Sequence, residues 1–472
     1  MSKHRIIRLL WIFFEKFGLV FLSIFSFFIY AHLLLPEELG QGALVLGVVE
    51  LITLIFTSTV DSSFVRLDKV STKQDATLFW AGNLFSLSSM ALINIGTFIY
   101  TTNPEIRLLM AVASTLLLLQ MASRVYVAHM RRSGNFKALA MRTLLGKIVG
   151  MAVGIGAAYY GMGAWAIVLQ AISMQFIATS MLMMGDKRAL PIFIDFKFFR
   201  ELIVVGAPIA LKAVNASILS KGILIVLGIV AGPAAVGYYN MANRLVDLPR
   251  SAIYGGIMGY ALPVLSRRKH DAANLKGFYT QATLISFLLL APIFVGLSIF
   301  ASDVILLIFG EKWRPSIPVL QILSIVAALS FLFLFTSSLL AAMNKAKLTV
   351  KAEILSTCVG LVCVYFSGLE YGAVAGALAG FVRLLIVAPA NVWALKAVVG
   401  YSAGEFFNSF YRSLIACLVM FAGVFTLNIY VPLDGWLHLL LGAPLAGLAY
   451  IIVYSIVHRT WLKEIRSFLK SR

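Results

Sequence analysis

Apolar runs of about 18 residues or more recur along almost the whole chain, and they limit its fold more than any other sequence feature. A run of this length spans the hydrocarbon core of a bilayer as one helix. The composition agrees, because 61% of the 472 residues are hydrophobic and 12% are charged, whereas soluble domains contain about 25% charged residues. A transmembrane β-barrel would instead alternate polar and apolar residues in segments of ~10 residues. The sequence therefore predicts an all-α polytopic membrane protein.

We expect about fourteen transmembrane helices. The predicted spans are residues 9–35, 42–65, 76–100, 105–130, 138–160, 163–184, 202–231, 235–262, 278–308, 316–342, 350–368, 372–396, 405–430 and 436–458. The connections between them alternate between basic segments and short segments with few cations. Because cytoplasmic loops are enriched in Lys and Arg, this alternation predicts that both termini are cytoplasmic.

The net charge of +19 is attributed to this topological bias, and no nucleic-acid partner is expected. Metal-ligand spacing and the motifs of common hydrolases and nucleotide-binding enzymes are not found in the sequence. The connections predicted to be external are short, whereas an enzyme acting on the outer face usually needs a sizeable external loop. The sequence predicts a transporter that is not an enzyme and binds no metal.

An internal repeat divides the predicted spans. Residues 33–51 match the residues 197 positions further on, with Pro36 on Pro233, Gly40 on Gly237 and Glu50 on Asp247. A second match, with an offset of about 210, places residues 135–150 over residues 346–360 in the same order. We therefore predict two repeated six-helix lobes, residues 1–200 and 201–400, followed by a C-terminal helix pair and basic tail in residues 401–472. Duplicated lobes with a site between them are typical of secondary transporters.

Four segments resemble those of a known family. They are LPEELGQ at 35–41, GMGAWAIVLQ at 161–170, GPAAVGYYNMANRLVDLP at 232–249 and FGEKWRPSIPVLQIL at 309–323. Their order and spacing are similar to those of the polysaccharide-transporter branch of the multidrug/oligosaccharidyl-lipid/polysaccharide (MOP) flippase superfamily. The resemblance implies a flippase that moves an undecaprenyl-pyrophosphate-linked oligosaccharide to the outer leaflet of the bacterial inner membrane, for capsule, exopolysaccharide or O-antigen synthesis. It also implies that helices 1, 2, 7 and 8 line a central cavity and that the last two helices hold the polyprenyl tail.

The resemblance sets further expectations about cofactors and partners. We expect no cofactor, and a coupling ion (H⁺ or Na⁺) and the membrane potential itself stay open as alternative driving forces. The expected partners are the lipid-linked glycan, membrane lipids and a glycan polymerase or export machinery. Two other functions remain open: a small-solute or multidrug cation antiporter of the same superfamily, and a membrane scaffold without transport activity.

The predicted spans contain more cations than carboxylates. The cations are Lys16, Arg124, Arg142, Lys147, Lys212, Lys221, Arg244, Arg250, Arg383 and Arg412, and the carboxylates are Glu15, Glu50, Asp61 and Asp247. Lipid cannot solvate such groups, so they must face protein or water. Arg124, Arg142 and Arg412 lie near predicted cytoplasmic ends, where a long side chain reaches the interface.

Polar residues also form stripes at helical spacing, which supports a buried polar surface. One stripe contains Glu50, Thr53, Thr57 and Asp61, and the equivalent segment of the repeat contains Asn240, Arg244, Asp247 and Ser251. An excess of buried cations requires an anionic partner, and a pyrophosphate group is one that Arg and Lys bind well. A transporter of cations would need the opposite polarity.

The predicted site follows from these charges. The candidate substrate-binding residues are Lys16, Lys212, Lys221, Arg244 and Arg250, and the candidates for coupling or ion pairing are Glu50, Asp61 and Asp247. An alternative is that these charges form structural ion pairs, such as Arg244 with Asp247 three residues later. Of the two lysines in the seventh span, Lys212 is the stronger candidate for the cavity, and Lys221 is either a second contact or the partner of a carboxylate on a neighbouring helix.

Overall fold

A computed structural model describes residues 3–64, 70–186, 190–267, 272–430 and 435–457. Within these ranges, the side chains of residues 3–9, 61–63, 208–209, 212, 252–264, 266–267, 272–273, 424–425, 427–430 and 457 are outside the description. Throughout the described residues the regular elements are helices, as the apolar runs predict.

The chain forms two compact units, Met1–Gly237 and Tyr238–Arg472. The helices of the first unit are α1 (Lys3–Leu33), α2 (Pro36–Phe64), α3 (Thr72–Tyr100), α4 (Pro104–Ser133), α5 (Phe136–Tyr159), α6 (Trp165–Gly185), α7 (Phe196–Val230) and the first turns of α8 (Gly232–Arg267). The remainder of α8 belongs to the second unit together with α9 (Ala272–Ile299), α10 (Ala301–Phe309), α11 (Ser316–Ser330), α12 (Thr336–Ala342), α13 (Val350–Tyr371), α14 (Val374–Val399), α15 (Ala403–Tyr430) and α16 (Trp436–Val457).

Polar residues in the connections begin several of these helices. Ser71 forms a capping box with Gln74 at the start of α3, and Asn103 caps α4 just before Pro104. The Asp195 carboxylate accepts the backbone N–H of Phe198 and caps α7. Each cap satisfies a backbone donor that has no partner within its helix. The helix starts therefore follow from local sequence.

Small residues determine how closely the helices of the first unit pack. Gly146, Gly150 and Gly154 follow one another at every fourth position of α5, and an added methyl group would lie 2.6, 2.6 and 2.9 Å from carbonyl oxygens of α6, respectively. This spacing places them on one face. Glycines at this spacing let two membrane helices approach to backbone contact, where dispersion and weak polar contacts hold them together.

Aromatic side chains fill much of the second unit. Phe331 packs on Phe294 with ring centroids 5.2 Å apart, and Phe333 stacks on Phe406 at 5.3 Å with nearly parallel rings. Both phenylalanines belong to a short 3-10 segment, Phe331–Phe333, between α11 and α12. The packing of this segment accounts for a break that no Gly or Pro in the adjacent sequence indicates.

Thirteen helices of the described residues are long and apolar enough to cross a membrane. The remaining predicted span, residues 235–262, corresponds to α8, which is not among the thirteen and which contains Arg244, Asp247 and Arg250. The predicted span 278–308 is divided into α9 and α10 at Phe300, and the predicted span 316–342 is divided into α11 and α12. The all-helical class is thus confirmed, whereas the count of fourteen spans and the lobe boundary at residue 200 stay predictions.

Candidate functional site

The helices α2 and α7 pack along each other within the first unit, and their contact includes an ion pair. Leu44 of α2 lies against Gly228, and Gly47 lies against Leu224. About one turn further along α2, Glu50 Oε2 lies 2.5 Å from Lys221 Nζ. Leu44, Gly47 and Glu50 are each about one turn apart, so all three lie on the face of α2 that packs against α7.

This ion pair lies near the middle of a spanning helix but is accessible. The side chains of Lys221 and Glu50 are 32% and 52% exposed, respectively, and Glu50 is the fifteenth residue of the 29-residue α2. Hydrocarbon does not solvate charged groups, so charges at this depth face protein or a water-filled space. The exposed surface of the pair therefore indicates a polar opening at mid-depth.

The structure places Lys221 beside a carboxylate on a neighbouring helix, which is one of the two alternatives that the sequence left open, and its role as a substrate contact stays a prediction. Its partner, Glu50, is the carboxylate of the polar stripe on α2. The neighbouring hydroxyl of Thr53 donates to the Val49 carbonyl of its own helix, and that of Thr57 donates to Leu54. Among these polar residues of α2, Glu50 thus makes the contact that links α2 to another helix.

A second polar group lies on α8, within the second unit. Asn243 Nδ2 donates to Asp247 Oδ2 at 2.9 Å, and Arg250 Nη1 lies 3.5 Å from Asp247 Oδ1. The Asp247 and Arg250 side chains are 50% and 49% exposed, respectively. Asp247 therefore forms an ion pair with Arg250, three residues later on the same helix, and the pairing of Asp247 with Arg244 stays a prediction.

The opposite face of α8 borders an apolar cavity. Leu245 and Pro249 line it, and because Asp247 is about 200° around the helix from Leu245, the polar and apolar faces are on opposite sides. The cavity has a volume of about 620 Å³ and is lined otherwise by α9, α10, α15 and α16. The apolar side chains that line it include Ile293, Met420 and Leu439. One helix thus borders both a charged surface and a space suited to hydrocarbon.

The remaining predicted site residues have different surroundings. Lys16 is exposed on α1, and Arg244 is partly buried on α8. Asp61 lies on α2 and Lys212 on α7, but both side chains lie outside the described residues. That the predicted residues form one substrate site therefore stays a prediction. The structure gives ion pairs for four of them: Glu50, Lys221, Asp247 and Arg250.

Sequence reasoning missed two histidine–aspartate pairs. His438 Nδ1 of α16 lies 2.8 Å from Asp303 Oδ2 of α10, and His129 Nε2 of α4 lies 2.8 Å from Asp75 of α3. Both pairs are largely buried. A signal was available, since a lone His or Asp in an apolar run requires a polar partner. The sequence does not indicate which distant residue that partner is.

The chain matches a family model described as polysaccharide biosynthesis protein over residues 29–318. It is 25% identical over 482 aligned residues to the succinoglycan biosynthesis transport protein ExoT of Rhizobium meliloti (strain 1021), covering 97% of this chain and 93% of that protein. It is 27% identical to the lipopolysaccharide biosynthesis protein WzxC of Escherichia coli (strain K12) over 205 residues, which cover 42% of this chain and 41% of that protein.

Solved structures support the same fold. The lipid II flippase MurJ in an inward closed conformation superposes with a TM-score of 0.73 at 17% identity, covering 97% of this chain and 100% of MurJ. An inward-facing multidrug resistance MATE family transporter of the MOP superfamily superposes with a TM-score of 0.61 at 15% identity, covering 81% of this chain and 95% of that one. At these identities the similarity concerns the fold.

The family match and the fold agree with the segments that first indicated a flippase-like chain. The resemblance predicted from these segments is confirmed. This protein, whose described residues include thirteen helices able to cross a membrane, belongs to the polysaccharide biosynthesis protein family.

Proposed function

We propose that this protein is a flippase for an undecaprenyl-pyrophosphate-linked oligosaccharide, which it moves from the inner to the outer leaflet of the bacterial cytoplasmic membrane. The similarity to a succinoglycan transport protein and to a lipopolysaccharide biosynthesis protein supports a role in exopolysaccharide, capsule or O-antigen synthesis. The alternating basic connections support cytoplasmic N- and C-termini.

The observation that carries the proposal is the accessible Lys221–Glu50 pair at mid-depth. An ammonium group in this position can exchange its carboxylate partner for an arriving phosphate oxygen. Because Glu50 remains nearby, the exchange is reversible, and the carboxylate re-forms the pair when the headgroup leaves. Lys221 would then attract the pyrophosphate and Glu50 would prevent it from being bound permanently.

The two faces of α8 support a cargo with a charged and an apolar part. Arg250 is about half exposed on the polar face and would contact phosphate, with Arg244, Lys16 and Lys212 as further cationic contacts. The apolar cavity bordered by Leu245 and Pro249 would receive part of the polyprenyl tail. The headgroup and tail would therefore travel on opposite sides of one helix, in an alternating-access cycle.

Export measurements in a deletion strain test the proposal. The strain should accumulate lipid-linked glycan in the inner leaflet, and the wild-type gene should restore export. Lys221→Gln and Arg250→Gln should each reduce export at least tenfold at equal protein level. Arg314→Gln is a matched control, because Arg314 forms an exposed pair with Glu311 in a connection and its loss should leave export unchanged.

Two results would contradict this function. The first is a deletion strain with a normal amount of outer-leaflet glycan. The second is transport of small organic cations by the purified protein in liposomes, with no transport of a lipid-linked glycan, which would identify an antiporter instead.

A further inference from the structure

A polar pocket lies between the first turns of α9 and α15, within the second unit. It has a volume of about 550 Å³, which is within the range of about 300–1,000 Å³ that small-molecule sites occupy. Of the described residues, those that line it are polar apart from one glycine. They include Lys276 and Gln281 of α9, Glu405 and Asn408 of α15, and Tyr401 just before α15.

One ammonium group and one carboxylate form an ion pair in this pocket. Lys276 Nζ lies 2.9 Å from Glu405 Oε2, and the same ammonium group lies 5.1 Å from the centre of the Tyr401 ring. The side chains of Lys276 and Glu405 are 29% and 52% exposed, respectively. Because ion pairs with this exposure contribute little stability, a ligand can separate the two charges at small cost.

Hydroxyl groups hold the floor of the pocket in place. The Tyr401 hydroxyl donates to Ser409 Oγ of α15 at 2.8 Å and accepts from Thr280 Oγ1 of α9 at 3.2 Å. The Tyr401 side chain itself is buried. Since these bonds join both helices to one buried ring, the pocket exists before a ligand arrives, and binding requires less ordering of side chains.

Two side-chain amides of the pocket are available to a ligand. Gln281 and Asn408 are exposed, and within the described part of the chain neither side chain forms a hydrogen bond. Each amide provides N–H donors and a carbonyl acceptor. The pocket therefore offers one positive charge, one negative charge and neutral hydrogen-bonding groups.

The two charges select the class of ligand. An anion bound to Lys276 alone would approach the Glu405 carboxylate, and a cation bound to Glu405 alone would approach the Lys276 ammonium group. A ligand with one phosphate and one ammonium group satisfies both, because each member of the ion pair exchanges one charged partner for another. The phosphoethanolamine headgroup carries these two charges.

The position of the pocket indicates that this headgroup belongs to a lipid. The basic segment before α9 predicts that this end of the helix is cytoplasmic. Lys276 is the fifth residue of α9 and Glu405 is the third residue of α15. Both charges therefore lie near the predicted membrane–water interface, where phospholipid headgroups are found.

An apolar surface continues from the pocket along α15. Asn408 lies seven residues before Ile415 and eleven before Val419, so the three share one face. Ile415 and Val419 are 39% and 43% exposed, respectively. The face extends about 16 Å from Asn408 to Val419, which is roughly half of the ~30 Å hydrocarbon core. An acyl chain of one leaflet fits this length.

We propose that the pocket between α9 and α15 binds one phospholipid of the phosphatidylethanolamine class from the cytoplasmic leaflet. The phosphate binds Lys276, the ammonium group binds Glu405, and one acyl chain lies along Ile415 and Val419. The Asn408 amide donates to a remaining phosphate oxygen. The site is separate from the cationic residues that would bind the cargo, so this lipid is a bound component and not the transported substrate.

The test compares dioleoyl phosphatidylethanolamine with dioleoyl phosphatidylglycerol, which has the same phosphate and no ammonium group. The full-length protein is purified in detergent, mixed with both lipids at equal concentration and measured by native mass spectrometry. The wild type should bind its first phosphatidylethanolamine about threefold more tightly or better, the size expected for one exposed charged contact.

Substitution of the carboxylate should remove this preference. Glu405→Gln deletes the charge that binds the ammonium group, whereas a glutamine still forms the capping box with Ser402 at the start of α15. The variant should therefore bind phosphatidylglycerol at least as well as phosphatidylethanolamine. Lys276→Gln should weaken the binding of both lipids, because both need the ammonium group for their phosphate.

Two further variants separate the pocket from general effects of substitution. Glu311→Gln removes the carboxylate of an exposed ion pair with Arg314 in another connection, and it should leave the lipid preference unchanged. Asn408→Ala should reduce phosphatidylethanolamine binding about twofold or more, because one hydrogen bond to a charged group is lost. Asn408 is exposed, so this variant tests the site even if Glu405→Gln prevents folding.

Equal binding of the two lipids by the wild type would overturn the proposal, and so would unchanged phosphatidylethanolamine binding in both Glu405→Gln and Asn408→Ala. Glycerophosphoethanolamine carries the same headgroup without acyl chains and should not displace the lipid at equal concentration. Displacement would assign the pocket to a soluble ligand and overturn the lipid site. No glycan is used, so these results are independent of the proposed flippase function.

Discussion

At the scale of single residues, the charges inside the spans pair both between helices and within one helix. Glu50 reaches from α2 to Lys221 on α7, whereas Asp247 contacts Asn243 and Arg250 on its own helix. Equivalent carboxylates of the repeat thus have different partners. The Lys221–Glu50 pair joins two helices, so substitutions of its two residues can show whether the pair serves stability or transport.

We expect Glu50→Gln and Lys221→Gln to have different effects on glycan export. Their effects on the free energy of unfolding should not be additive. Either change leaves an uncompensated charge at mid-depth, so the double variant should lose less stability than the sum of the single variants, with a coupling energy of about 0.5–3 kcal/mol. Thermal unfolding in detergent measures the coupling. Export should be lost in Lys221→Gln and partly retained in Glu50→Gln, because phosphate needs the lysine and not the carboxylate.

Additive stability losses would show that the two side chains do not interact in the folded protein. Equal export in both single variants would show instead that the pair acts as one structural unit.

At the scale of elements, glycines determine which helices come into backbone contact. The α5–α6 contact uses Gly146, Gly150 and Gly154, and the last of these also accommodates α1. The hydroxyl group of Tyr30 on α1 lies over Gly154 and is buried without a hydrogen-bond partner among the described residues. A buried, unsatisfied hydroxyl is unfavourable, so this contact is tight but not optimal.

The Tyr30–Gly154 contact predicts an unusual pattern of stabilities. Gly154→Ala should destabilise the protein by about 1–3 kcal/mol, because the new methyl group overlaps the tyrosine hydroxyl and lies 2.9 Å from Ala166 O. Tyr30→Phe alone should be neutral or stabilising, since it removes a polar group that has no partner. The double variant should recover part of the loss, as measured by thermal unfolding in detergent.

The matched control is Gly156→Ala on the same helix, where no atom lies within 4 Å of the added methyl group. A similar loss in Gly156→Ala and Gly154→Ala would attribute the effect to α5 itself and contradict the role of Tyr30.

At the scale of the whole molecule, the sign of the intramembrane charge suggests how transport is driven. Moving one elementary charge across the membrane is worth about 2.3 kcal/mol per 100 mV. An inside-negative potential favours outward movement of an anionic headgroup, and it also favours the return of cationic side chains toward the cytoplasm. Both half-cycles are therefore assisted by the potential in the proposed mechanism.

Glycan flipping should consequently slow when the potential is removed. In energised membrane vesicles, valinomycin with potassium dissipates the potential while the pH gradient is held constant, and flipping of a labelled lipid-linked glycan is followed. The matched control measures flipping of the same glycan after the pH gradient is removed at constant potential, where charge-driven transport predicts no change. Unaltered flipping without a potential would reject charge-driven transport and leave a coupling proton or sodium ion as the alternative.

Much of the fold could be predicted because its signals are local. The length of each apolar run specifies a spanning helix, and residues such as Ser71, Asn103 and Asp195 specify where helices begin. The sequence did not predict the helix breaks at Phe300 and at Phe331–Phe333. These breaks occur beside contacts between residues that are distant in the chain, namely aromatic packing and the Asp303–His438 pair.

The candidate site was predictable in its residue types and not in its contacts. The sequence by itself determined the membrane-spanning helices, the excess of cations within the spans and the repeat that places Gly40 on Gly237, because these depend on composition, period and register. Only the tertiary structure decided that Lys221 meets Glu50, and that the two repeat-related glycines meet each other. The reason is that the partner of a charge or a glycine is set by helix packing, which brings together residues far apart in the chain.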